Sequence, residues 1–205
     1  MNLGEVKNIL RFALGRGNSL DDMLTMHIKG AVKMIESRRS WKYMEQEATL
    51  TLDVSAPKPN VAVLNEGRIK ELLWVRRTVE ETGRFIDIPA VLSTQFSRIG
   101  AGYPNGFYLL GDRTLVFDTK PDVNLPIEIA YYGWTDIADD DAFEFWLIEH
   151  APLLVVAHTL TLMAALIRNN AVAQLYVSSL QLYDAAAIQA DDDLRYGGQS
   201  LEVRT

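Results

Sequence analysis

Three histidines and two runs of aspartate are the residues with which this sequence could bind a metal or move a proton. None of His27, His150 and His158 lies in an H-E-x-x-H motif. The last two are eight residues apart with a predicted helix break between them, so we do not expect them to converge on one metal. Asp139–Asp141 and Asp191–Asp193 lack the D-x-D-x-D-G spacing of a calcium loop, and consecutive carboxylates point in different directions. The sequence therefore predicts neither a metal site nor a cofactor site.

The two aspartate runs have structural interpretations instead. Asp139–Asp141 directly precedes Ala142, where we predict that a helix begins, and carboxylates are favourable beside the unpaired N–H groups of a helix N-terminus. Asp191–Asp193 lies near the predicted C-terminus of another helix, where negative charge opposes the helix dipole. The carboxylates of this second run are therefore either simply solvated or bound by a basic group.

Motifs for phosphate binding and nucleophilic catalysis are missing from the sequence. Gly100–Gly102 lacks the third glycine of a dinucleotide fingerprint, and it leads into a predicted strand rather than a helix. No Walker motif and no G-x-S-x-G motif is present. The chain has no cysteine, which excludes thiolate nucleophiles, disulfides and zinc ribbons. The sequence therefore carries only weak traces of enzymatic chemistry.

Length, composition and charge narrow the class of protein further. A chain of 205 residues with 48% hydrophobic and 23% charged residues is expected to fold as one body, or as one body with a small insertion. The net charge of -7 argues against a protein that tracks nucleic-acid phosphates. Residues 136–205 carry three basic and eleven acidic side chains, whereas residues 1–45 carry eight basic and five acidic ones. Such opposite signs suit a head-to-tail contact with another subunit or a partner, or they serve solubility alone.

Targeting and membrane signals are also missing. The first residues lack the basic and apolar regions of a signal peptide, so we expect the protein to stay in the cytosol of the cell that makes it. The most apolar run, Ala151–Ile167, contains Pro152 and His158 and is shorter than the roughly 20 residues of a membrane span. We predict that it forms a buried core helix.

Hydrophobic periodicity predicts about five helices and an antiparallel sheet between them. The helices are expected at residues 3–14, 19–41, 142–150, 152–168 and 171–194. The last of these helices is expected to turn one face toward the core, formed by Val172, Leu175/Tyr176, Ser179, Leu182/Tyr183 and Ala186. Alternating residues predict strands at 45–54, 61–64, 68–78 and 125–132, and a hairpin at 107–118 with Gly111 in its turn. The strands are expected to form a meander.

The predicted fold is therefore α+β, with a terminal α-helical bundle and an inserted antiparallel β-sheet or sandwich domain. Residues 1–43 and 136–194 are expected to form the bundle, and residues 44–135 the insertion. Residues 195–205 have two adjacent glycines and no periodicity, which predicts a flexible C-terminal arm.

Four segments occur in an order that is specific when they are taken together. They are Leu3–Glu5, Arg39–Glu45, a series from Gly102–Tyr108 through Leu115–Phe117 to Ile129–Tyr132, and Trp146–Leu154 with the ending Arg195–Arg204. On these segments, nearly the whole chain resembles the head-to-tail connector (adaptor) proteins of tailed bacteriophages, small subunits that form a ring beneath the portal. The sequence departs from that family at Leu153–Val156, where relatives tend to have an acidic residue followed by aromatic residues.

The resemblance implies a structural virion protein of the neck, located at the head–tail interface, with no enzymatic turnover and no cofactor. Its subunits would form a homo-oligomeric, dodecameric ring that binds the portal protein on one side and a downstream tail or nozzle protein on the other. DNA would pass through the ring without sequence-specific binding, and no membrane would be involved. An acidic lining of that channel would repel the DNA phosphates.

The resemblance also directs attention to five residues for contact with the portal or a neighbouring subunit. Tyr196 and Leu201 are the expected anchors of the arm, and Arg195 and Arg204 are its expected charge partners. Trp146, in the fourth segment, is expected to contribute to the same kind of contact.

Two alternative functions remain open from the sequence. One is a tail-completion or tail-tube terminator protein of a phage, which also forms rings. The other is a small hydrolase or carbohydrate-binding domain that would use Asp139–Asp141 with Tyr131 or Tyr132 in a deep pocket.

Overall fold

The computed structural model describes residues 1–15, 21–79, 82–95, 100–163 and 171–197. The fold is α+β, with six α-helices and an antiparallel four-stranded sheet plus smaller sheets among these residues, which confirms the predicted class. The chain divides into two compact units, one formed by residues 1–43 with 135–205 and the other by residues 44–134. The second unit differs from the predicted insertion by one residue.

The first unit contains the α-helices. They are α1 (Leu3–Leu14), α2 (Asp21–Arg38), α3 (Trp146–His150), α4 (Pro152–Leu162), α5 (Ala171–Ser178) and α6 (Leu180–Tyr196). In α1 the Asn2 side chain accepts the N–H of Glu5 at 2.9 Å, and the Glu5 carboxylate accepts the N–H of Asn2 at 3.0 Å. The helix ends at Gly15, whose φ of 63° is left-handed. These local signals confirm the predicted first helix, whereas the predicted start of the second, Ser19, lies outside the described residues.

The predicted capping of the third helix by Asp139–Asp141 is wrong, because α3 begins only at Trp146. The aspartate segment serves the N-terminus of α1 instead. The N–H groups of Leu3 and Gly4 donate to the carbonyls of Phe143 and Asp141, each at 2.9 Å. The Asp141 carboxylate accepts a hydrogen bond from the Lys7 ammonium at 2.6 Å.

The single helix predicted for residues 171–194 is divided into α5 and α6 at Ser179. The hydroxyl of Ser178 donates to the carbonyl of Leu175 at 2.9 Å, and such bonds compete with regular helix hydrogen bonding. The predicted inward face is also wrong, since Leu175 is 65% exposed and Leu182 is 69% exposed. The helices bury small or polar residues instead: Ala173, Ala187 and Asp191.

Helix α4 lies at the centre of the first unit. Its side chains from Leu154 to Leu160 are buried, as predicted for a core helix, and it packs mainly against α2. The packing is close at Gly30, where an added Cβ would lie 3.2 Å from the Leu162 side chain. Within the described ranges, no helix has the length and apolarity needed to cross a membrane.

His158 is the buried polar exception on α4. It is 1% exposed, and neither ring nitrogen has a hydrogen-bond partner among the described residues. Burial lowers the pKa of His158, the positive charge of Arg38 lowers it further, and Asp184 opposes the shift. The folded chain therefore holds this imidazole in its neutral form at pH values where an exposed histidine is protonated.

This burial predicts a loss of stability on the acid side. Below pH 6.5 the unfolded chain binds more protons at this position than the folded chain, so the free energy of unfolding falls as pH falls through the folded pKa of His158. We expect His158→Leu to retain more of its neutral-pH stability at pH 5 than the wild type does. Urea denaturation at both pH values measures this. His27→Leu is the matched control, because His27 is only partly buried on α2, and an equal gain from it would contradict the prediction.

The second unit contains the strands. They are β1 (Glu45–Leu52), β2 (Val61–Val63), β3 (Ile69–Val79), β4 (Arg84–Asp87), β5 (Gly100–Ala101), β6 (Phe107–Leu110), β7 (Thr114–Phe117), β8 (Thr119–Lys120) and β9 (Leu125–Gly133), and short 3-10 turns cover Lys42–Met44 and Ser93–Gln95. The main sheet has the order β1-β9-β3-β4, a second sheet has the order β2-β7-β6, and β5 pairs with β8 in parallel. The predicted meander is therefore wrong, because β9 lies between β1 and β3.

The predicted hairpin is confirmed as β6 and β7, which pair from Phe107 with Phe117 to Leu110 with Thr114. Its turn uses Gly111 at a φ of 73°, a conformation that favours glycine. Apolar side chains from both larger sheets form one core, including Leu52, Leu115, Phe117, Ile127 and Ile129, all fully buried.

Candidate partner-binding site

The structure places three of the five expected partner-binding residues in the first unit. Arg195 and Tyr196 form the last turn of α6, which ends at Gly197 with a φ of 62°, so they belong to the helix and not to the arm. Trp146 is the first residue of α3. Leu201 and Arg204 lie outside the described residues.

Asp191, on the inner side of α6, is fully buried at 0% exposure. One carboxylate oxygen accepts the backbone N–H of Lys42 at 2.6 Å. The other accepts the Nε–H groups of Arg195 at 2.9 Å and Arg39 at 3.1 Å. A buried carboxylate with two guanidinium partners and a backbone donor is fully satisfied.

The two arginines extend this network. Arg195 donates through Nη2 to the carbonyl of Ser40, and Arg39 donates through Nη2 to the carboxylate of Asp192. We call Arg39, Asp191, Asp192 and Arg195 the α6 anchor. The anchor fixes the last two turns of α6 to the segment that follows α2.

The anchor decides between the two interpretations of the second aspartate run. The basic groups that bind Asp191 come from this chain, so plain solvation is wrong for that residue. Asp193 is exposed and accepts a hydrogen bond from the neighbouring Gln189 side chain at 2.9 Å. Arg195, an expected charge partner in the arm, is thus engaged within its own chain.

Four rings lie close together beside the anchor. Tyr43 stacks on Trp146 with centroids 5.1 Å apart and planes at 12°, and Trp146 stacks on His150 at 5.0 Å and 11°. Trp41 is tilted against Trp146 at a centroid distance of 6.3 Å. We call these residues the aromatic stack. Trp146 is therefore a packing residue of the first unit, and its buried Nε1 has no hydrogen-bond partner among the described residues.

A buried carboxyl group lies at one end of the aromatic stack. Glu36 is 1% exposed and accepts hydrogen bonds from the Tyr43 hydroxyl at 3.1 Å and the Thr135 N–H at 3.3 Å. Burial raises the pKa of Glu36, and these hydrogen bonds oppose the rise. Burial and the nearby charge of Glu36 also raise the pKa of Tyr43. The Glu36 carboxyl group is thus enclosed and bonded to groups of its own chain.

The residues of the hydrolase alternative are separately engaged. Asp139 accepts a hydrogen bond from Lys29 and Asp141 from Lys7, each at 2.6 Å, while the Asp140 carboxylate accepts the N–H of Ala142 at 3.0 Å. In the second unit, the Tyr131 hydroxyl donates to the side chain of Gln46 at 2.9 Å. In the part of the chain that the structure describes, no group of three histidine or acidic side chains could hold a metal.

Apolar side chains are exposed at the end of α6, on α5 and in the first turn of α6. Leu194 and Tyr196 are 51% and 46% exposed at the helix end. Val172, Leu175 and Leu182 are also exposed. Sequence analysis assigned these three residues to the core, because periodicity locates an apolar face without showing what covers it.

Comparison with known proteins does not extend these observations. The sequence matches no protein-family model, and a search of curated proteins found no match. The function therefore has to be inferred from the chain's own residues.

Proposed function

We propose that this chain is a head-to-tail connector subunit of a tailed bacteriophage. It acts as a structural protein without enzymatic turnover. Copies form a ring between the portal and the tail in the virion neck, and DNA passes through the ring. The helical unit faces the portal protein, and the β unit faces a downstream tail or nozzle protein.

One observation carries the proposal: segments on which the resemblance rests meet in space. Arg39–Tyr43 supplies an arginine of the α6 anchor and two rings of the aromatic stack. Trp146–His150 supplies the other two rings, and Arg195 completes the anchor. Residues more than a hundred positions apart in sequence thus form one packed cluster. A shared cluster explains why these segments would occur together in one family.

The surface of the first unit supports a role in assembly. The exposed side chains of Val172, Leu175 and Leu182 need a protein partner to remove them from water. The anchor holds the preceding turns of α6 in place, so residues after Gly197 emerge from a fixed point. The net charge of -7 suits a channel that DNA crosses without adhering.

The test is negative-stain electron microscopy of the purified protein mixed with the portal from the same genome. We expect a second ring stacked on the portal. Leu182→Glu should prevent it, because a charge at this exposed apolar position blocks an apolar contact without disturbing the core. Gln181→Glu is the matched control, since it adds the same charge at the adjacent exposed position.

A portal that stays bare, both alone and on DNA-filled heads, would overturn the proposal. The tail-completion or tail-tube terminator function would then be tested next, by mixing the protein with tails instead of portals.

A further inference from the structure

Strand β4 forms an open edge of the main sheet. All four of its residues, Arg84–Asp87, are exposed, and among the described residues no strand pairs with its outer side. Ile88 donates its N–H to Val75 on the inner side at 2.8 Å. Because backbone groups alternate along a strand, the N–H and carbonyl groups of Phe85 and Asp87 point outward. This edge can therefore accept another strand.

One face of this edge carries two arginine side chains. The register pairs Arg77 with Ile86 and Val79 with Arg84, which puts both arginines on the same face. The Arg77 guanidinium lies 4.3 Å from the ring centre of Tyr103, and its buried Nε has no hydrogen-bond partner among the described residues. Neither arginine has a carboxylate partner within the described ranges.

A cleft of about 350 Å³ opens on this arginine face. Its walls include Val79, Ile86, Tyr103 and Val123, with Arg77 inside. Thr78 and Asn124 also line the cleft, so its wall is mixed polar and apolar. A guanidinium in such a cleft is suited to a carboxylate that is flanked by apolar side chains.

The opposite face of β4 presents an apolar side chain in a fixed position. Phe85 is 54% exposed, and the Arg76 guanidinium lies 3.9 Å from the ring centres of both Phe85 and Trp74. Glu128 holds Arg76 with a 2.8 Å ion pair, so this arginine is already neutralised. The open edge therefore offers positive charge on one face and an aromatic ring on the other.

Residues 200–204 of this chain have a complementary pattern. They read Ser-Leu-Glu-Val-Arg, so Leu201 and Val203 alternate with Glu202. A strand that adds to β4 with Glu202 on the arginine face places Leu201 and Val203 on the face of Phe85. Ser200 and Arg204 then lie on the arginine face at the two ends of the segment. The segment follows Gly197 after two residues, which in extended form span about 7 Å.

We propose that β4 is a strand-addition site for residues 200–204 of a second copy of this chain. The inference deepens the proposed ring and rests on it for the choice of a second copy. The edge of β4 on one copy and residues 200–204 of the next are different surfaces of the same chain. The contact is therefore head-to-tail and can close into a ring. Backbone hydrogen bonds supply the pairing, and Glu202 with Arg77 and Arg84 fixes its register.

The first test measures binding of a fluorescent peptide of residues 198–205 to a chain that ends at Gly197, by fluorescence anisotropy. We expect saturable binding that Arg84→Glu weakens about tenfold, the value of one charge-assisted contact. A peptide carrying Glu202→Arg should restore binding to the Arg84→Glu chain. Lys58→Glu, at an exposed site away from β4, is the control. The absence of binding at about 1 mM peptide would overturn the site. Equal losses of affinity from Arg84→Glu and Lys58→Glu would overturn it as well.

The second test asks whether the arm comes from another copy. A chain ending at Gly197 keeps β4 but lacks the arm, and a Phe85→Pro chain keeps the arm but lacks an outward N–H group of β4. We expect each variant alone to stay monomeric in sedimentation velocity and their mixture to form dimers. A mixture that stays monomeric while the peptide binds would show that the arm serves its own chain. Because no portal is present, failure here is distinct from failure of the proposed function.

Discussion

Replacing Asp191 with asparagine should lower the free energy of unfolding of the helical unit by about 3 kcal/mol. The carboxylate accepts hydrogen bonds on both oxygens, from Lys42, Arg39 and Arg195. An asparagine of the same shape turns an NH₂ group toward these donors and removes the buried negative charge that both guanidiniums share, while Arg39 keeps its ion pair with Asp192. The arginines are 30% and 23% exposed, so water relieves part of this cost, and we place the effect at the lower end of the range for broken buried pairs.

Circular dichroism at 222 nm during urea denaturation measures this loss, because the α-helices lie in the first unit. The melting temperature should fall by about 6–12 °C for a chain of this size. Asp193→Asn is the matched control, since Asp193 is exposed and its carboxylate accepts a hydrogen bond from the neighbouring Gln189 side chain. Its effect should stay within about 0.5 kcal/mol. Equal effects of the two substitutions would show that the α6 anchor does not stabilise the unit.

The predictable parts of the fold are those that short stretches of sequence determine. The helical periodicity of α1, the glycine turn of the hairpin and the alternation of β9 all act within a few residues, so each was predicted with its correct element. The order of the strands was not predicted correctly. Strand β9 pairs with β1 and β3, which are distant in sequence, and no local signal selects these partners.

The candidate site was harder to predict for the same reason. Asp191 meets Lys42 across 149 positions, so its negative charge near a helix C-terminus looked unfavourable until its partners were known. Trp146 and Arg195 were selected for contact with another protein, whereas both are used inside the unit. The exposed Leu175 and Leu182 were assigned to the core because an apolar residue at helical spacing carries no sign of what covers it.

The α6 anchor and the aromatic stack share the segment after α2. Arg39 belongs to the anchor and its guanidinium lies 5.7 Å from the ring centre of Trp41 in the stack. Loss of either group therefore affects the position of α6, from which residues 198–205 continue. The residues that stabilise the helical unit are, in this interpretation, also those that place its partner-binding end.

The largest effect is expected from Trp41→Ala, at about 4 kcal/mol of unfolding free energy. Trp41 is 2% exposed and is among the largest fully buried side chains that the structure describes. Its Nε1 donates to the Ile35 carbonyl at 3.2 Å, and its ring contacts those of Tyr43 and Trp146. Alanine leaves a cavity in the stack and an unpaired carbonyl at the end of α2.

Two further variants separate packing from partner binding. Trp41→Phe keeps an aromatic ring in the stack, so it should cost less than half as much as alanine and should still form the ring on the portal. Phe12→Ala is the control for loss of an aromatic residue from the same unit, because Phe12 is 76% exposed and its removal should change stability by less than about 0.5 kcal/mol. If Trp41→Phe folds with near-normal stability but no longer docks, Trp41 contacts the portal itself. If Trp41→Ala costs no more than Phe12→Ala, the stack does not stabilise the unit.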